Sequence, residues 1–223
     1  MVLLKTASKQ PKLYNTAEGR VLLIGIILSF LLIIFITYYG ITEPVKVRTL
    51  IFVFFAHILG GRAAGIGLCI MNDLKFFTTL IYNFFIEIQI LCITYSLFVL
   101  SITNYIKAEW IHRISNQMMH NADKYKDKIR KYGWLGLFLF VIAPLPATGP
   151  VMGSILGYML KIGIWRNFSA VLAGTFFALL VWSISFEFLE KNLHMIQYVF
   201  GAIIIVVVFS NYKIIKNWFF SQD

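Results

Sequence analysis

The sequence predicts an all-α polytopic integral membrane protein with an inverted-topology repeat, built from two re-entrant broken helix hairpins and about four spanning helices. Three observations lead there. The composition is too apolar for a soluble domain: 59% of the 223 residues are hydrophobic and 13% are charged, with a mean hydropathy of +0.78. Two of the apolar stretches are broken at their centres by glycine, proline or a charge. The 20 Lys and Arg, against 10 Asp and Glu, gather beside apolar runs, where basic residues set membrane orientation.

Residues 1–20 carry Lys5, Lys9, Lys12 and Arg20 and read as a cytoplasmic tail. Residues 21–223 form a single transmembrane domain. Its first span, Val21 to Tyr39, is too long for a signal peptide, and no small-residue cleavage site follows in TYYGITEP. A short polar connection, Gly40 to Thr49, leads to LIFVFFAHILGGRAAGIGLCIM, in which Gly60, Gly61, Gly65 and Gly67 surround Arg62. A charge in the middle of a span costs about 2.5–3.5 kcal/mol on insertion scales, so this segment is predicted to be broken. Phe76 to Ile102 is long enough to span and holds Glu87 and Gln89 well inside it.

Residues 104–131 hold Lys107, Arg113, Lys124, Lys126, Lys128, Arg130 and Lys131 against Glu109, Asp123 and Asp127, which predicts a basic cytoplasmic linker. Ile106, Trp110, Ile111, Ile114 and Met118 recur at helical spacing. They predict either a helix lying on the anionic leaflet or a solvated connector.

The stretch KYGWLGLFLFVIAPLPATGPVMGSILGYML is broken at its midpoint. Pro144 and Pro146 each remove a backbone donor, and Gly149, Pro150 and Gly153 follow. Gly133 to Ala143 rises roughly 16 Å, about half of a hydrocarbon core, which sets the break near the midplane. Asn167 to Phe186 is a further span, Glu187 to His194 a polar turn, and 195–212 the last span, followed by Lys213 and Lys216.

Charge chooses the topology. Were Leu50 to Met71 an ordinary span, the basic linker would lie outside. A re-entrant hairpin there, turning at Gly60 to Gly65, returns the linker to the cytoplasm, and a second hairpin at 133–160 puts the C-terminus there too. Hairpin plus span then occurs twice, at about 50–102 and 133–186, entered from opposite sides. Repeats of this kind place substrate and ion sites at their interface. The alternative is a repeat that serves packing alone.

The candidate site residues are those near the two breaks: Arg62, Glu87, His57, Pro144, Pro146, Thr148, Gly149 and Gly153. Ten residues from Leu50 reach about 15 Å deep, and Phe76 to Glu87 covers about 16 Å from the same side, so Arg62 and Glu87 are predicted to pair. Arg62 is suited to an anionic group and Glu87 to proton coupling, with a purely structural ion pair as the alternative. Thr148 and Ser154 either offer hydroxyls at the second tip or cap the half-helix near Pro150.

Other classes find less in the chain. No nucleic-acid signature accompanies the basic residues, and Cys69 and Cys92 lie apart in apolar runs without a CxxC or Cys/His cluster, so neither a metal, a cofactor nor a disulfide is indicated. HExxH, GxSG and GxGD are absent, so an intramembrane enzyme is not predicted.

The KYG at Lys131 to Gly133, the PLPATG at Pro144 to Gly149 and the following Gly153 resemble the signature of the small multi-drug export protein family, a distant relative of the DedA or VTT-domain membrane proteins. The first half departs from it. Where that family tends to show an E-x-R-G-A-I-P-like motif, this chain has Gly60-Gly61-Arg62-Ala63-Ala64-Gly65-Ile66, which keeps the arginine but lacks the acidic residue and the proline. The resemblance implies two re-entrant hairpins and a transport-like role. Its DedA branch implies proton-dependent transport or translocation of lipid carriers such as polyprenyl phosphates. The expected partners are membrane lipids, a small-molecule or lipid-phosphate substrate, protons and a second copy of the chain, in the cell inner or plasma membrane with both termini cytoplasmic.

Overall fold

A computed structural model describes residues 13–103, 105–106, 108–143 and 149–192, the side chain of Lys128 excepted. The tail before Leu13, the tip residues Pro144, Pro146 and Thr148, and the last span expected at 195–212 lie outside the described residues. Residues through Ser183 form one compact unit, and Ile184 onward forms a second. Among the described residues there are seven α-helices and no strand: α1 (Ala17–Thr42), α2 (Pro44–Met71), α3 (Phe76–Ile102), α4 (Glu109–Arg130), α5 (Gly133–Ile142), α6 (Pro150–Met159) and α7 (Ile164–Lys191). By length and composition α1, α2, α3 and α7 could each cross a membrane. The chain is an integral membrane protein.

Helix boundaries follow local chemistry. The Thr16 hydroxyl caps α1 by accepting from the Gly19 N–H at 3.0 Å, with Glu18 in the first turn. The polar connection expected at Gly40 to Thr49 does not exist as a loop. Glu43 alone separates α1 from α2, because its N–H still bonds the Tyr39 carbonyl and Pro44, preset for a first helical position, starts the next helix at once.

Although α2 is long enough to span, it does not run straight. Gly61 stands at φ 73°, ψ −167°, outside the helical region, and helix resumes after it. Thr49 and Asn72 would be about 35 Å apart in one straight helix. Instead the Thr49 hydroxyl lies 3.4 Å from Asn72 Oδ1, so the two halves fold back on each other. Along α3, Tyr82 Oη donates to the Leu50 carbonyl, while Cys69 Sγ accepts from Asn83, so both halves of α2 pass the same level of one helix in opposite directions.

The second broken segment has the same form, read against α7. On α5, Trp134 Nε1 donates to Ser169, and Phe138 and Val141 crowd Gly174, so α5 climbs alongside α7. On α6, Gly153 lies against Val171 and Ser154 accepts from Asn167 Nδ2, so α6 descends. A methyl on Gly153 would stand 2.5 Å from Val141 Cγ2, which explains a small residue there.

Several local features recur 88 residues later. Asp73 and Lys161 are the non-glycine residues with positive φ, 55° and 56°, among those described. The Asp73 N–H bonds Ile70 as Lys161 bonds Tyr158, and Leu74 bonds Cys69 as Ile162 bonds Gly157, all at 2.9–3.0 Å. Gly61 and Gly149 mark the two breaks, and Gly65 and Gly153 the two close approaches.

Between residues 104 and 131 the structure has the helix that the apolar spacing allowed, rather than an irregular connector. α4 is a helix packed on protein, with Ser115, Ala122 and Ile129 buried and Met118, Met119 and Tyr125 against the core of α3, α5, α6 and α7. Trp110 and Ile114, expected on its apolar face, point away from the protein core and are exposed. The polar turn expected from Glu187 is also corrected, since α7 continues to Lys191 through residues with good helix propensity.

α3 is the central helix. Its first half closes a core with α1 and α2 that includes Leu32, Leu50, Val53 and Ile86, and its second half packs Tyr95 and Phe98 edge-on to Phe168 and Tyr158. Against α1 it approaches closely at Gly25, where a methyl would meet Ile93 at 2.8 Å, and Gln89 bonds Ser29 at 2.6 Å.

Candidate functional site

The break in α2 determines what stands at the centre of the molecule. Because the chain turns at Gly61, Arg62 begins the returning half at the tip rather than partway along a span. Glu87 sits eleven residues into α3, about 16 Å from its start. The two meet: Arg62 Nε donates to Glu87 Oε1 at 2.7 Å. Glu87 is buried and Arg62 largely so, with side-chain exposures of 6% and 12%. Burying an unpaired charge there would cost several kcal/mol, and the partner and its hydrogen bond offset that.

Arg62 also reaches the other half of the chain. Its Nη1 donates to the Val141 carbonyl at 3.0 Å, and Nη2 lies 3.4 Å from the Thr175 hydroxyl. Val141 is in the last turn of α5, where carbonyls lack helical partners and carry partial negative charge. The planar fork of one guanidinium thus bonds α3, α5 and α7.

His57, one turn before the break, completes the cluster. Its Nε2 is 3.3 Å from Glu87 Oε1 and its Nδ1 is 2.7 Å from Asn83 Oδ1. Asn83 Nδ2 donates to the Thr79 carbonyl at 2.8 Å and approaches Cys69 Sγ at 3.5 Å. Gly65 lets this happen: a methyl on it would stand 2.5 Å from Asn83 Oδ1 and 2.6 Å from His57 Nδ1.

Of the residues singled out in the sequence, Arg62, Glu87 and His57 therefore form one buried network. Gly153 serves helix packing beside it. Gly149 precedes α6 with φ −65° and ψ 178°, a conformation open to any residue, so the backbone there does not require glycine. Ser154 does not cap α6, because its hydroxyl donates to the Val151 carbonyl three residues earlier. Asn83, Thr175 and the Val141 carbonyl were not foreseen. Asn83 lies one turn before Glu87, so its place on the same face of α3 was a signal available in the sequence.

No three His, Cys, Asp or Glu side chains among the described residues gather in a way that could hold a metal. What the arrangement offers is one cation with a multi-donor fork, one carboxylate and one imidazole, closed inside apolar helices where two folded-back segments meet.

A polytopic membrane protein with a charged network buried at the junction of its two halves is the class these features define. The chain belongs to the family described as "Putative small multi-drug export protein", whose profile matches residues 62–181. The match takes in Arg62, Glu87, α5, α6 and Thr175, and His57 lies before it. No curated protein and no solved structure matches the chain.

Proposed function

We propose that this protein is a transporter of the DedA-like type, which moves a small molecule or a lipid phosphate across the membrane through a midplane site. In this reading the folded-back α2 and the α5–α6 pair are re-entrant hairpins of an inverted repeat, and their tips form the site. The observation that carries it is the position of Arg62, at one tip and bonded to the Val141 carbonyl beside the other. A bundle held together by packing needs no cation at that junction, whereas a pathway for an anionic group needs a donor fork there.

The recurrence of the turn at Asp73 and Lys161 and of the breaks at Gly61 and Gly149 supports a repeat. The basic linker, which must share a side with the N-terminal tail, supports its inversion. Pro144, Pro146 and Thr148 belong to the second tip by sequence. Protons are the proposed coupling ion, with Glu87 their carrier, and both termini are cytoplasmic.

A flippase or scramblase for polyprenyl phosphate or phospholipid is the second reading. A groove of about 480 Å³ favours it, lined by Leu31, Phe35, Leu50, Phe77, Ile81 and Phe85 between α1, α2 and α3, which would accept an acyl or prenyl chain.

The test is transport by the purified protein in liposomes, comparing uptake of a soluble organic anion under an imposed pH gradient with flipping of a labelled polyprenyl phosphate. Activity in either arm that Arg62→Gln abolishes is the expected outcome. Two silent arms with correctly inserted protein would favour instead a third reading, a non-transporting membrane assembly or scaffold protein.

A further inference from the structure

The hydrogen bonds around His57 fix where protons sit and where one more can go. The Thr79 carbonyl only accepts, so the Asn83 atom facing it must be the amide nitrogen, and Oδ1 must be the atom that faces His57. His57 Nδ1 therefore carries a hydrogen. Its Nε2 then faces Glu87 Oε1 at 3.3 Å, either as a lone pair or as the second N–H of an imidazolium. Glu87 Oε1 already accepts from Arg62 Nε, and a carboxylate oxygen has room for one more donor.

Resting on the reading of Arg62 as the substrate contact, we propose that the site loads a monoanion and one proton together: the anion takes Arg62 from Glu87, and His57 with Glu87 takes up the proton. Buried charge has to balance in both states. In the empty site Arg62 is paired with Glu87, and with a hydrogen on Nδ1 of His57 alone the sum is zero. In the loaded site Arg62 is paired with the anion and Glu87 with protonated His57, and the sum is again zero. Anion binding without the proton strands Glu87 as a lone carboxylate, and proton binding without the anion leaves a net positive charge. Each half-loaded state carries an uncompensated buried charge, which is the costly case. The proton comes from hydronium, which leaves as water. Whether it rests on Nε2 or on Oε1, the pair has gained one.

Among the described residues, the other charged side chains of α1, α2, α3, α5, α6 and α7 lie toward the helix ends: Glu18 and Arg20 in the first turn of α1, Lys46 and Arg48 near the start of α2, and Arg166 near the start and Glu187, Glu190 and Lys191 near the end of α7. Cys69 and Tyr82 are the nearby weak acids, engaged with Asn83 and the Leu50 carbonyl. The ion pairs found around His57 among the described residues are those joining it and Arg62 to Glu87. The anion is a singly charged oxyanion able to accept from a guanidinium fork, as a phosphodiester does, free or in a lipid headgroup.

The experiment is calorimetric titration of the full chain in detergent with two phosphodiester monoanions whose own charge is constant near neutrality. Dimethyl phosphate represents the free group and dihexanoyl phosphatidylglycerol the headgroup. Repeating each titration in buffers of different ionisation enthalpy counts protons. The wild type should take up about one proton per anion, with affinity falling roughly tenfold per pH unit on the alkaline side. Glu87→Gln, which needs no counter-charge, should bind the anion with no proton uptake. Binding of the lipid probe alone assigns the group to a headgroup, and binding of both to the phosphodiester itself. Wild-type binding without proton uptake would overturn the coupling and leave Arg62 as an anion contact. Absence of binding by wild type and Glu87→Gln alike would overturn that contact and the coupling with it. If Glu87→Gln does not fold, the wild-type proton count decides alone.

Discussion

Replacing Arg62 by Met removes three hydrogen bonds at once and strands a carboxylate in a residue that is 5% exposed. Breaking a buried pair in this way costs about 3–5 kcal/mol. For a chain of this length each kcal/mol lowers the melting temperature by about 2–4 °C, so the expected loss is on the order of 10 °C. Glu87→Gln should cost less, because Arg62 keeps the Val141 carbonyl and the Thr175 hydroxyl. The double variant should recover about 1–3 kcal/mol relative to the sum of the single losses, since neither side is left charged without a partner. Thermal unfolding in detergent, followed by loss of the monodisperse peak, reads all four members of the cycle. Losses that add within about 0.5 kcal/mol would refute the coupled network.

The two break glycines should respond differently. Gly61→Ala forces a side chain into a positive-φ conformation and should cost about 1–3 kcal/mol, whereas Gly149→Ala should leave the melting temperature unchanged. A Thr49→Cys and Asn72→Cys pair, in a background without Cys69 and Cys92, should oxidise to a disulfide. Single cysteines at those positions should label from the same side of the membrane, and labelling from opposite sides would contradict the fold-back. Gly65→Ala should perturb His57 and Asn83 directly and make binding of an anionic probe less dependent on pH, as measured in the same titrations.

Much of the helical framework was legible because apolar runs with clear ends leave few alternatives in a membrane. Phe76–Ile102 was read to the residue, and the break near Gly61 and the end of α5 at Ile142 followed from glycine, proline and a charge in the wrong place for a span. The meeting of Arg62 and Glu87 was readable from depth alone, since two segments entered from one side share a ruler of 1.5 Å per residue. Less legible were features that depend on a partner distant in the chain. Nothing local shows that the Val141 carbonyl will receive a guanidinium from 79 residues away, or that Thr175 will stand beside it. α4 misled because its apolar residues are few and its charges many. Its most deeply buried residues, Ser115 and Ala122, are ones that periodicity of large side chains does not register.

Flux through reconstituted vesicles tests the central claim most directly. Liposomes holding wild-type protein, Arg62→Gln or no protein would be given the anion found to bind on the outside, and its uptake followed under an inward proton gradient. The account predicts gradient-driven flux in the wild type and none above empty liposomes for correctly inserted Arg62→Gln. Equal flux from wild type and Arg62→Gln would show that the junction of the two halves is not the pathway.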